Sequence, residues 1–218
     1  TLTRASFQVA DAQNLYWDNS VKSLPEDKPY KALISRSLEP ASQAGLASMR
    51  AGYLRHALYD DVAWSYIPGQ RRVRRAPGFS YDTVSTTSGG LLIFDEIAGW
   101  DGKMDKYDFK LLGKKEMYIP YNAYRTLSTP LEQVMGKEHE NPAHMRWELH
   151  RVWVVEGSLK PGQRHIQQKK VFLVDEDSWH APVYYGVDHF GKVHHLMHLP
   201  TIQAYDLPGA QTKAFVLY

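Results

Sequence analysis

Between Met145 and Glu156 the side chains change character at every second position, a period of two that belongs to a β-strand and not to a helix. Met145, Trp147, Leu149, Arg151, Trp153 and Val155 fall on one face, and Arg146, Glu148, His150 and Glu156 on the other. One core-facing side and one wet side are expected. The segments that follow are equally short and are cut by turn residues. Lys160-Pro161-Gly162 is a turn and Gln167 to Val174 a strand. Asp175 to Ser178 turns again before a strand from Trp179 to Val187, and Asp188 to Lys192 turns into Val193 to Leu199. Thr212 to Leu217, after the break at Leu207-Pro208-Gly209, is placed to close the sheet. Connections this short join antiparallel neighbours, so the second half of the chain reads as a meander.

The amino-terminal half is less regular. Val62 to Tyr66 alternates as a strand, as does Tyr107 to Leu111, which a turn at Gly113-Lys114-Lys115 links to Glu116 to Ile119. The Ala-rich stretch Ala41 to Tyr59 admits a helix near Gln43 to Met49. Pro25, Pro29 and Pro40 mark residues 1–40 as an amino-terminal arm or partial helical segment, ahead of a curved antiparallel β-domain over 41–218. The Ser, Thr and Gly-rich stretch Ser80 to Gly90 and the stretch Thr129 to Ala143 read as loops, and no linker is sharp enough to divide the chain. Fourteen Tyr, seven Phe and six Trp, scattered through these segments, favour strands over long helices.

Composition narrows the chemistry. With 26 Lys and Arg against 24 Asp and Glu, the net charge of +2 provides no whole-molecule field for tracking phosphates, so nucleic acid is not an expected partner. The absence of cysteine excludes a disulfide framework, thiolate zinc and a thiol nucleophile. No apolar run approaches the roughly 18 residues of a spanning helix. Thr1-Leu2-Thr3-Arg4 resembles neither a signal peptide nor a natural start, so a processed product or a piece of a longer protein is expected.

Arg71, Arg72, Arg74 and Arg75 suit phosphate or carboxylate recognition at a rim or docking surface; equally, they suit pairing with structural carboxylates such as Asp95, Glu96, Asp105 and Asp108. His189, His194, His195 and His198 invite a metal. On a regular strand, however, His194 and His198 point the same way about 13 Å apart, too far to share an ion. His139 to His144 lacks the zinc-protease spacing and is broken by Pro142. Gly78 to Asp82 lacks the closing glycine of a nucleophile elbow, Gly89-Gly90 lacks the spacing of a phosphate loop, and Asp101, Asp105 and Asp108 read as loop acids. No catalytic residue, metal or cofactor is expected.

Trp64-Ser65-Tyr66-Ile67-Pro68, running into Arg71-Arg72-Val73-Arg74-Arg75, resembles a signature of the outer-membrane lipoprotein-sorting (LolA/LolB-like) class, and within it a family of uncharacterised secreted proteobacterial proteins. Lys106 to Asn122, Glu148 to Glu156 and Val174 to Trp179 extend the similarity across roughly residues 60–180. The resemblance implies a mainly β fold: a curved antiparallel sheet, forming an incomplete barrel, with a few covering helices and a concave apolar side that takes up acyl chains. It also implies export to the periplasm or outer membrane from a precursor about twice this length, of which this chain is the carboxy-terminal portion. On pattern and resemblance together, Trp64, Tyr66, Trp147, Leu149, Trp153 and Phe172 are the expected ligand-contacting residues, with the Arg71 to Arg75 segment at the rim. The expected function is a carrier for a hydrophobic, lipid-like or lipoprotein acyl ligand, with peripheral membrane contact. The alternatives are an interaction module for envelope transport proteins and, third, an envelope lipid or glycan enzyme.

Overall fold

Short aromatic and β-branched segments separated by Gly, Pro and Asp pair in sequence order wherever their connections are too short to cross a sheet. The computed structural model of the protein describes residues 4–11, 27–53, 58–76, 80–84, 91–137, 139–203 and 212–214. The chain forms two compact units, Thr1–Thr83 and Val84–Tyr218, and the boundary falls in the Ser, Thr and Gly-rich stretch read as a loop.

The first unit is a five-stranded antiparallel meander of β1 (Arg4–Asp11), β2 (Lys31–Glu39), β3 (Ala47–Gly52), β4 (Val62–Ile67) and β5 (Arg72–Arg75). The structure therefore places two strands within residues 1–40, where the sequence suggests an arm or partial helix. It also replaces the helix expected near Gln43 to Met49 with a turn and β3. The alanines mislead because Ala47, Met49 and Ala51 pair on both sides, with Arg36, Ile34 and Ala32 of β2 and with Tyr66, Trp64 and Val62 of β4. Paired residues share a face, so Ala32, Ile34, Ala47, Met49, Ala51, Val62, Trp64, Tyr66 and Val73 form a largely apolar side, with Arg36 and Arg75 on it. The opposite side is polar: Ser35 and Ser48 hydroxyls lie 2.7 Å apart, and Arg50 pairs with Asp61 at 2.7 Å.

The second unit is built on a five-stranded antiparallel sheet in the order β10-β9-β8-β7-β6, comprising β6 (Tyr107–Pro120), β7 (Trp147–Leu159), β8 (Gln167–Asp175), β9 (Val183–Asp188) and β10 (Val193–His198). The meander expected from β7 onward is present. The turn expected at Gly113 is not: β6 is one 14-residue strand with a register shift between Leu111 and Gly113, and Gly113, at φ +118°, absorbs the bulge. Thr212–Ala214 (β12) pairs with Thr201–Gln203 (β11) as a separate ribbon and does not close the main sheet. Two short helices, α1 (Tyr124–Ser128) and α2 (Leu131–Val134), follow β6.

Both faces of this sheet are apolar. Ile119, Val152, Val154, Val171, Leu173 and Val183 pack on one side; Phe172, Tyr184 and Met197 pack on the other with Leu92, Trp100, Phe109, Val155, Val174 and Ala181. This corrects the single core face read in Met145 to Glu156, since Val152 and Val154 are buried on the side called wet. Only β6 pairs with β7 before Val152, so Trp147, Leu149 and Arg151 stay exposed. At one end the outer strands approach each other. The N–H of Ala123, just beyond β6, donates to the Thr201 carbonyl beyond β10 at 2.8 Å, and Trp147 meets His198 edge-on at 5.1 Å. Among the described residues the strand order runs from β10 to β6 without a β10–β6 pairing.

Candidate functional site

The six expected ligand-contacting residues separate by unit and by burial. Trp64 and Tyr66 are half-buried on the apolar side of the first unit, opposite Met49 and Ala47 and beside Arg75 and Val73. Trp147, Leu149, Trp153 and Phe172 share one face of the second sheet, because Trp153 pairs with Val174 and Val155 with Phe172. Leu149 is 58% exposed and pairs with Tyr118, which is 65% exposed, so the outer half of β6 and β7 presents an open apolar strip continuing to Trp147. The Lys114 ammonium covers the Trp153 ring at 4.2 Å from its centroid. Phe172 is 6% exposed and packed by Trp100, Phe109 and Tyr184, so it fills core and leaves no room for a guest.

Arg72 and Arg74 lie opposite Ile67 and Ser65 on one side of β5, whereas Arg75 lies opposite Trp64 on the other. Arg71 takes no part in the strand; at φ +50° it ends the 3-10 turn Pro68–Gln70. All four are exposed. Three of the carboxylates considered as partners are engaged elsewhere: Asp95 with Lys170, Glu96 with His195, and Asp108 with Lys160 at 3.8 Å.

A second constellation lies under the 3-10 segment Phe94–Gly99, which presents two adjacent carboxylates to the second sheet. Fully buried Asp95 accepts from the fully buried Lys170 ammonium at 2.7 Å, with His165 Nε2 3.1 Å from the same oxygen. Trp100, Tyr107 and Tyr184 surround that ammonium at 5.0, 5.6 and 5.7 Å from their ring centroids. Glu96 accepts from the Ile93 N–H at 3.1 Å, from the Gln167 amide and from His195, whose Nδ1 lies 2.9 and 3.0 Å from its two oxygens. The Tyr184 hydroxyl in turn donates to the Gln167 side-chain carbonyl. Burial by itself would raise the Glu96 carboxyl, but His195, Ile93 and Gln167 outweigh it and hold the group below its usual range. Burial, then Glu96 and Asp95, push the Tyr184 phenol up, so it stays a neutral donor.

Bulges aim these side chains. β8 carries an extra residue between Gln167 and Lys169, which turns Gln167 to the same side as Lys170. β10 carries one between Val193 and His195, which turns His194 and His195 to one side with ring centroids 4.0 Å apart. Gly186 makes the space, since a Cβ there would stand 2.2 Å from the Gln167 amide. Strict alternation puts His194 and His195 on opposite sides and so hides this arrangement. The signal available is the polar residues at 167–170 and 194–195 within β8 and β10.

Among the described residues, two sets of groups bring three metal-type donors within 4.8 Å of one another: Glu96, His194 and His195; and His150, Asp175 and Asp177. In the second set Asp175 is held from several sides and Asp177 lies in the open. Asp175 accepts from His150 Nδ1 at 2.8 Å and from the Ser178 N–H and hydroxyl at 2.9 and 2.7 Å, and the Asp177 side chain is 78% exposed. A hollow of about 290 Å³ beside His150 is lined by Glu116, Leu149, Arg151, Glu176 and Asp177. Its charged lining does not suit an acyl chain.

Antiparallel sheets with a few short helices among the described residues define a mainly β protein. The chain is similar to an outer membrane lipoprotein-sorting protein domain from Vibrio parahaemolyticus (TM-score 0.55, 14% identity, 88% of this chain and 64% of that one). It is also similar to a DUF1329 family protein from Desulfovibrio piger (TM-score 0.48, 18% identity, 77% and 56%). The chain belongs to the family described as protein of unknown function DUF1329, which matches residues 1–218. It is 38% identical over 191 residues to the uncharacterized protein PA3922 of Pseudomonas aeruginosa; the match takes in 85% of this chain but only 41% of that protein's length.

Proposed function

We propose that this chain is part of a periplasmic, non-catalytic carrier that holds a hydrophobic, lipid-like ligand against its sheet faces. The observation behind this reading is apolar side chains left partly open on an ordered strand face in each unit: Met49, Trp64, Tyr66 and Val73 in the first, Tyr118, Trp147 and Leu149 in the second. Exposed apolar strips of this kind mark interaction surfaces. The fold it shares with a lipoprotein-sorting domain supports the same class of ligand. Phe172 and Trp153 drop out of the contact set, the first as core and the second as a ring roofed by Lys114. Burial of apolar surface at roughly 25 cal/mol per Å² allows an acyl chain to bind at about micromolar strength over a few hundred Å².

Titration of the delipidated chain with a fluorescent fatty acid tests the proposal. Saturable binding is expected; Trp64→Ala should weaken it at the strip of the first unit and Leu149→Ala, separately, at the strip of the second, about tenfold for each roughly 1.4 kcal/mol of apolar contact removed. No saturable binding by chain whose circular dichroism shows intact strands refutes it.

A second reading, docking onto an envelope transport protein, is favoured by β5. Among the described residues it is an edge strand, with three exposed arginines and a fourth, Arg71, just before it, a form suited to strand addition by an acidic segment.

A further inference from the structure

The bulge in β10 turns two consecutive imidazoles toward one buried carboxylate, and we propose that Glu96, His194 and His195 form a binding site for a divalent transition-metal ion of the zinc type. One donor atom from each residue lies within 4.8 Å of the other two, and the three come from two separate elements, the Phe94–Gly99 segment and β10. Two imidazoles and a carboxylate are a donor set that zinc and neighbouring transition metals accept, with further positions left for water. His194 and His195 are partly exposed, which gives an ion a route in, whereas Glu96 is fully buried and fixed.

The groups behind the carboxylate match what a metal ligand requires. Glu96 is oriented by the Ile93 N–H and the Gln167 amide, and Gln167 is in turn held by the Tyr184 hydroxyl. Partners of this outer kind set the direction of a ligand and its strength as a donor. Gly186 keeps open the space that Gln167 needs to do so.

A purely structural account explains only part of this arrangement. One ion pair between Glu96 and His195 fastens the 3-10 segment to the sheet. That role needs neither the extra residue in β10 nor a second imidazole at a centroid distance of 4.0 Å, with His194 Nδ1 3.4 Å from the Gln167 amide. A cation placed among the three donors would take the place of the hydrogen bond between His195 Nδ1 and Glu96.

The test uses the whole chain after chelator treatment, titrated with Zn(II) alone by calorimetry and with Co(II) alone by visible absorption. One saturable Zn(II) per chain is expected, with a rise in Tm that a chelator reverses and a Co(II) spectrum showing nitrogen coordination. His195→Ala also breaks the clamp on Glu96 and lowers stability, so His194→Ala is the deciding variant. It should keep the Tm of the metal-free protein and weaken Zn(II) binding by about 10–100-fold. Absence of saturable uptake, equal uptake by His194→Ala, or uptake abolished by His150→Ala instead would each overturn the site.

Discussion

At Lys170 the chain accepts a cost that most cores avoid, an ammonium with no exposed surface. Asp95 at 2.7 Å and three aromatic rings compensate it, and the arrangement persists only while both charges are present. Lys170→Met is therefore expected to destabilise the protein by about 3–5 kcal/mol, because Asp95 stays buried without its ammonium partner, with only the His165 imidazole beside that oxygen. Adding Asp95→Asn should recover much of the loss. Urea unfolding of the two single variants and the double variant measures the coupling, and simple additivity would show that the two charges do not act as a pair. None of this is visible in the sequence, where Asp95 and Glu96 read as carboxylates available to the arginines. Which carboxylate meets which cation is a long-range fact: Lys170 and Asp95 are 75 positions apart.

Strands were legible as elements and misleading as surfaces. β7, β8, β9 and β10 lie close to where alternation and turn residues place them, since both signals are local. Facing is not legible where an extra residue enters a strand, at Leu111–Gly113, Gln167–Lys169 and Val193–His195, because one inserted residue exchanges the two faces. β7 and β8 show how unequal the expected binding residues are. Phe172→Ala should cost about 3–5 kcal/mol of stability, as expected for truncating a packed core aromatic. Leu149→Ala should change stability by less than about 0.5 kcal/mol, as for an ordinary surface position, while weakening uptake of a hydrophobic probe. Equal losses of stability in the two variants would contradict the assignment of one to the core and the other to the open strip.

Over the whole molecule, acid sensitivity is expected from histidines held neutral. Burial pushes the His180 imidazole below its usual value, against the opposing effects of a Leu199 backbone hydrogen bond and Asp175. The folded state therefore binds this proton less readily than the unfolded chain. Stability is full above the unfolded value near about 6.5 and is lost as pH falls through it, levelling off only below the folded value. His180→Gln should flatten that part of the profile between about pH 7.5 and about pH 5, measured as unfolding free energy. An unchanged slope would mean that the imidazole is not held neutral.

The division of the chain also belongs to this scale. No linker announces it, yet each unit completes its own sheet from consecutive strands, so a boundary between Thr83 and Val84 breaks no strand pairing. The sequence by itself determined the class of fold, an antiparallel β protein without thiol chemistry, and the order of most of its strands. Those follow from periodicity, turn chemistry and composition, all of which act over a few residues. Only the tertiary structure decided which aromatic residues fill the core and which face outward. It alone joined Asp95 to Lys170 and set Glu96 against two histidines, because side-chain direction in a sheet depends on register, and register is fixed by partners far away in the chain.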